Sequence, residues 1–312
     1  MKNNIFTANT RLYMTISAGI IVLAIVLSLF GLGMNMGIDF TGGSLLTYNM
    51  HGEFDVAIVE EALKSVGIAE SQIAKTGVGE VQDQLQIRIK QEHGDDDMRV
   101  NLEAKLRETY PDMEFVQIEF VGAVAGRDLI ANAVKSLLIA FLCLLVYIAI
   151  RFDFYSGLAA LLALTHDVLI MCSFMVFFRG VYQANSTFIA ALLVIVGYSI
   201  NNTIIIFDRI RENVKNPAFA QKTHKEIVES SVSSTISRTI NTTLTTLITL
   251  VALYVLGVSS IKEFCFPLVV GMLAGTYSSV MLSGQIWAYW LDNDTFAPIR
   301  NLFRKNRQAK KA

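Results

Sequence analysis

The chain has 312 residues, of which 53% are hydrophobic and only 17% charged; soluble domains carry about 25% charge, and a mean hydropathy of +0.47 excludes an ordinary water-soluble globule. The formal net charge of −1 gives no basic excess, so no nucleic-acid partner is expected. Cys143, Cys172 and Cys265 all fall in apolar segments, which excludes a disulfide framework and leaves them as small hydrophobes.

Residues 1–12 are short and polar, and residues 13–32 are uncharged and apolar. A run of about 20 such residues crosses about 30 Å of hydrocarbon. No small-residue cleavage site follows it, so residues 1–36 read as an N-terminal segment with a retained first membrane helix. Residues 37–127 are water-soluble in character, with an excess of about ten carboxylates over Lys and Arg. Strands are expected at 44–50, 72–78, 84–90 and 114–121. The third alternates, with Leu85, Ile87 and Ile89 on one face. Helices are expected at 55–67, capped by Asp55 and ended by Gly67, and at 98–110, closed by Pro111. The order βαββαβ predicts an α+β ferredoxin-like domain, a fold that hosts many functions and specifies none.

From 128 to 291 the chain is nearly all apolar. Membrane helices are expected near 129–150, 156–178, 185–207, 237–257 and 264–290, with a charged loop at about 208–236 and a basic tail at 292–312. The expected architecture is an α-helical membrane protein with six spans and one soluble domain between the first two. Lys and Arg set orientation. They crowd the tail and the 208–236 loop, whereas the alternate short loops hold only Arg179 and Lys262. Both termini are therefore expected in the cytoplasm and the large domain outside it.

Motifs for catalysis are absent: there is no P-loop, His-Glu-x-x-His, Gly-x-Ser-x-Gly or paired CxxC. No enzyme activity, cofactor or metal site is expected. Interest falls on polar groups inside the spans, which are costly in hydrocarbon unless partnered. His166 and Asp167 interrupt the third helix, as a titratable pair on an ion path or as an interhelical clasp. Asn201 and Asn202 lie in the fourth, as ligands for water or a cation or as interhelical glue. Asn201 aligns with Asp208. Arg238, Thr242, Thr245 and Thr249 form a polar stripe on the fifth, expected to line an interior seam opposite Asn202, although Arg238 also reads as a residue that snorkels to the interface. Gly271 and Gly275 make a GxxxG on the sixth, a signal for close helix packing.

Three segments carry a family resemblance. Gly37-Ile-Asp-Phe-Thr-Gly-Gly43, including Asp39, Phe40 and Gly42, resembles the signature that opens the outer domain in the SecF family of protein-export membrane subunits. Gly197-Tyr-Ser-Ile-Asn201 with Phe207-Asp-Arg-Ile-Arg-Glu-Asn213 resembles the family's fourth-helix motif. Arg238-Thr-Ile-Asn-Thr-Thr243 resembles its fifth-helix motif, and His166-Asp167 also fits. The resemblance implies half of a bundle related to the resistance-nodulation-division transporters, sitting in the bacterial inner membrane. It implies SecD and the Sec translocon as partners, and an unfolded exported polypeptide as cargo. The implied work is to draw that polypeptide outward with the transmembrane ion gradient. One departure stands out: the family motif typically has an aspartate at the position of Asn202. Asparagine is nearly isosteric and carries no proton, which leaves three explanations: an engineered substitution that imitates one protonation state, a natural variant that couples to sodium or relies on a carboxylate of SecD, or a lapsed ion path that leaves a docking or organising subunit without ion coupling. A small-solute transporter half, related by fold only, is a further and weaker rival.

Overall fold

The computed structural model describes residues 6–7, 9–68, 71–76, 83–89, 96–257 and 259–293. The basic tail from 294 onward and His93 lie outside the described residues. Among those residues, six helices are long and apolar enough to cross a membrane.

Helix α1 (Thr10–Leu27) continues as a π-helical stretch, Ser28–Leu32. A four-residue helix α2 (Ile38–Thr41) then leads into strand β1 (Gly43–Asn49). Next come α3 (Val56–Ser65), β2 (Ser71–Thr76), β3 (Gln84–Ile89), α4 (Asp96–Arg107) and β4 (Glu114–Val121). Their order is the βαββαβ read from the sequence. The sheet is antiparallel throughout, ordered β2-β3-β1-β4. Asp55 caps α3 by accepting from the Ala57 N–H, and Gly67 follows that helix at φ +84°, a conformation open to glycine at little cost. Leu46, Tyr48, Leu85, Ile87 and Ile89 on one face of the sheet pack with Val59, Leu63, Leu102 and Leu106 of the two helices. Period-2 alternation in β3 meeting a 3.6-residue stripe in α3 is what closes this core.

The remaining helices are α5 (Ala123–Arg151), α6 (Phe154–Phe177), α7 (Ser186–Lys215), α8 (His224–Leu256) and α9 (Ser259–Ser278). After α9 a π-helical stretch, Ser279–Ser283, passes into α10 (Gly284–Asp292). Side chains of α6, α7 and α9 supply most of the buried apolar core of the bundle. In contrast, the membrane window of α5 buries none of its residues in this chain.

The charged segment 208–236, expected as a loop, is mostly helix. Helix α7 runs on to Lys215, and α8 starts at His224 behind a reciprocal capping box between Thr223 and Glu226. Only the short connection between them is irregular, with one 3-10 turn at Pro217–Phe219. Charge marked where the chain leaves hydrocarbon but not where the helices end. Ile210, Asn213, Ile227, Val228 and Val232 keep a buried face across the two extensions, so packing continues beyond the apolar zone.

Candidate functional site

Two positions in this fold bring polar groups together. The first is inside the bundle. Asp167 on α6 is 1% exposed. Its Oδ2 accepts from Ser199 Oγ on α7 at 2.6 Å, and its Oδ1 lies 3.0 Å from His166 Nδ1. The other imidazole nitrogen, Nε2, lies 2.9 Å from Ser17 Oγ on α1. Ser17 Oγ in turn reaches Tyr277 OH at 3.4 Å, and that hydroxyl donates to the Tyr13 carbonyl at 2.8 Å. A continuous polar chain thus runs from α7 through α6 to α1 and α9. Every lone pair it satisfies would otherwise cost free energy in hydrocarbon.

Glycine explains how close the helices come. A Cβ on Gly275 would stand 2.7 Å from Ser199 Oγ, and one on Gly271 would stand 2.6 Å from Ile195. The GxxxG of α9 is therefore seated against α7. One turn further, Thr203 Oγ1 and Ser279 Oγ are 2.8 Å apart, and Thr243 Oγ1 and Thr276 Oγ1 are also 2.8 Å apart.

Asn202 lies in this region, 0% exposed, and neither its amide nitrogen nor its amide oxygen finds a hydrogen-bond partner among the described residues. Tyr198 donates to the Thr242 carbonyl at 3.2 Å, and Asn213 Nδ2 to Ser231 Oγ at 2.8 Å. This antiparallel register puts Asn202 level with the turn of α8 that carries Thr239 and Thr243. Thr239 Oγ1 is also buried without a partner. At that level of α7 and α8, Asn202 and Thr239 therefore hold unsatisfied buried polar atoms, groups able to bind water or a desolvated cation.

The stripe read from the sequence does not face that region. Arg238, Thr245 and Thr249 are exposed and Thr242 is half-buried. Each of these threonines donates to a carbonyl three or four residues back, at 2.9–3.3 Å. The expected Asn202–Arg238 pairing across an internal seam is not formed within the chain; Thr239 and Thr243 turn inward instead. Of the adjacent asparagines, Asn201 is exposed and only Asn202 is buried. Asp208 is exposed and pairs with Arg151 at 3.3 Å, away from the buried cluster. Ser17, Thr203, Thr239 and Tyr277 belong to the polar core but were not singled out from the sequence, and Ser279 was read only as part of the small-residue row that extends the GxxxG. Thr239, Thr243 and Thr246 follow the same i, i+4, i+7 spacing as the chosen stripe, so a threonine-rich helix offered two candidate faces.

The second position joins the sheet to the bundle. Gly37 N–H donates to the Ala184 carbonyl at 2.7 Å, and Ala184 N–H to the Asn35 carbonyl at 2.8 Å. A Cβ on Gly37 would stand 3.1 Å from the Ala184 oxygen. Asp39 Oδ2 accepts from the Ser186 N–H at 2.7 Å, placing a carboxylate on the N-terminus of α7, where the helix dipole favours it. Gly42 and Gly43 have φ of +74° and +130°, which only glycine adopts readily, and they turn α2 into β1. Phe40 is buried in the apolar core of the bundle. Nearby, Arg88 of β3 pairs with Glu263 of α9 at 3.4 Å, and Asn185 Nδ2 donates to the same carboxylate at 2.6 Å.

A mostly helical chain with six candidate spans and a small antiparallel sheet, joined through a double-glycine turn, defines a class of multi-pass membrane protein with an inserted α+β unit. Residues 101–293 match the family model for the C-terminal part of the protein export membrane proteins SecD and SecF, and residues 27–50 match the SecD/SecF GG motif. The chain is 35% identical over 287 residues to the protein translocase subunit SecF of Calditerrivibrio nitroreducens, covering 90% of this chain and 92% of that one. It is 33% identical to SecF of Sebaldella termitidis, covering 89% of each. The crystal structure of SecDF, a translocon-associated membrane protein from Thermus thermophilus, superposes with a TM-score of 0.76 at 32% identity; the match covers 92% of this chain and 37% of that one. SecDF in its super-membrane-facing form gives 0.65, with 98% and 40% covered. The chain belongs to the SecF family. It is a multi-pass membrane protein of protein transport and spans under half the length of the SecDF chains.

Proposed function

We propose that this chain is the SecF half of a SecDF-type assembly that draws exported polypeptides outward beside the Sec translocon, using the transmembrane ion gradient. Supporting the reading is one observation above the others. Asn201, Arg238 and Asn241 are exposed on α7 and α8, two helices long and apolar enough to cross a membrane. A guanidinium and two amides facing lipid are costly. A second six-helix bundle, SecD, covers them and completes a polar path between the two chains, with Asn202 and Asp167 on this chain's side of it. In this reading the termini and the α7–α8 connection are cytoplasmic and the membrane is the bacterial inner membrane. The α+β unit, of ferredoxin-like order, stands outside, and the bundle is one half of a resistance-nodulation-division-like pair. The domain boundaries are those read from the sequence, except that helix replaces most of the 208–236 loop.

One charge falling through 100 mV yields about 2.3 kcal/mol, enough for a roughly fifty-fold population shift. Asn202 cannot carry a proton, so in this reading any proton path runs through the His166–Asp167 pair and the partner's groups. The rival reading, a docking subunit without ion coupling, draws on the same residue. The test is export driven by an ion gradient in inverted vesicles containing this chain and SecD. Arg238→Ala is expected to abolish the gradient's stimulation, and Asn202→Asp to strengthen its proton dependence. Stimulation that survives Arg238→Ala would hand the case to the docking reading.

A further inference from the structure

At the end of the bundle where α1 and α8 begin and α10 finishes, a groove of about 510 Å³ opens on the surface. Met14, Leu162, Tyr289 and Trp290 line its wall, and Arg11 and Lys225 stand at the same site. Met14, Leu162 and Tyr289 are 47%, 44% and 58% exposed, so the apolar wall faces outward from the bundle. The carboxylates close by in the sequence are already engaged. Glu229 accepts from the Phe6 and Thr7 N–H groups, Asp292 pairs with His224, and Glu226 closes the capping box of α8. Neither Arg11 nor Lys225 is drawn into an ion pair among the described residues. Two cations with no ion-pair partner among the described residues therefore border an apolar slot flanked by two aromatic rings of the type that settle at the membrane–water boundary.

We propose that this groove is a binding site for an anionic phospholipid of the surrounding bilayer. The phosphate sits between the guanidinium of Arg11, which offers a fork of donors, and the ammonium of Lys225, which acts as a point charge. The upper part of an acyl chain lies along Met14 and Leu162, and Tyr289 and Trp290 hold the headgroup level. A free phosphate would use the two cations but leave the apolar wall bare. The volume falls within the usual range for a ligand site and suits a headgroup with the first stretch of one chain. The inference needs only that the chain crosses a membrane. It does not depend on orientation or on a role in export, so it and the proposed function stand or fall separately.

The chain contains two tryptophans, so a Trp287→Phe background leaves Trp290 as the sole indole reporter. The full chain is reconstituted in phosphatidylcholine vesicles carrying a minor fraction of either brominated phosphatidylglycerol or brominated phosphatidylcholine, and Trp290 quenching is measured. Phosphatidylglycerol is expected to quench at about one-tenth the mole fraction that phosphatidylcholine requires. The pair Arg11→Gln with Lys225→Gln should erase that preference. The charge-preserving pair Arg11→Lys with Lys225→Arg should keep it, and so should Lys215→Gln with Lys222→Gln, which removes two cations elsewhere on the same basic side. Equal quenching by both lipids overturns the site. So does an equal loss in the Lys215/Lys222 control, which would mean diffuse charge attraction only. Abolition by millimolar inorganic phosphate would make the ligand a free anion and overturn the lipid assignment.

Discussion

The two faces of α8 present the same chemistry and meet opposite fates. Thr239 and Thr243 are buried against neighbouring helices, and Thr243 bonds across to Thr276. Arg238 and Thr245, within a turn of them, are exposed. The inner face is satisfied by this chain apart from Thr239, whereas the outer face is left to something else. A polar stripe in a membrane helix therefore marks an interface without saying whether the interface lies within the chain or between chains.

That contrast can be tested by how each face responds to change. The largest effect on folding is expected from Gly275→Val, because its Cβ meets Ser199 at a non-physical distance. Overpacking of this kind costs about 1–3 kcal/mol, visible as a lowered thermal midpoint of the purified chain. Gly197→Ala, where a Cβ meets nothing within 4 Å, should leave the midpoint in place. Next comes Asp167→Ala, which removes the acceptor for Ser199 and the partner of His166. Interhelical hydrogen bonds in membranes average about 0.6 kcal/mol and reach about 1.7, so a loss of about 1–2 kcal/mol is expected in denaturant unfolding. Replacing Asn202 with leucine removes two buried, unpartnered polar atoms, and the chain alone should become more stable by up to about 1 kcal/mol. A stability loss instead would reveal a bound water or ion. The smallest effect should come from Arg238→Ala, within about 0.5 kcal/mol for the isolated chain. The same change should weaken co-purification with SecD. A large loss of stability in the isolated chain would place Arg238 in this chain's own core and undo the contrast.

Most of the architecture was legible because its signals are local. Twenty-residue apolar runs, the Leu85–Ile87–Ile89 alternation and the Asp55 cap each depend on nearest neighbours in sequence. Helix ends at Lys215 and His224 were not legible, since they depend on which side chains stay buried beyond the hydrocarbon. The polar core was legible only in part. Asp167 and Asn202 stood out as costly residue types, but Ser17 and Thr203 are commonplace in membrane helices and acquire meaning only through partners up to 260 residues away. The choice between the two faces of α8 was beyond pattern reading, because both carry threonine at helical spacing.

The Gly37–Gly43 segment has a mechanical consequence. Its backbone is tied to Ala184, its Asp39 grips the first turn of α7, and its last glycine is the first residue of β1. The root of the central strand and the top of α7 are thus one joint with two arms. One arm is a 30-residue helix of about 45 Å, and the other a seven-residue strand of about 23 Å. Axial travel of α7 cannot leave the strand's root behind, and with glycines at the pivot a small slide at one arm becomes a swing of the other.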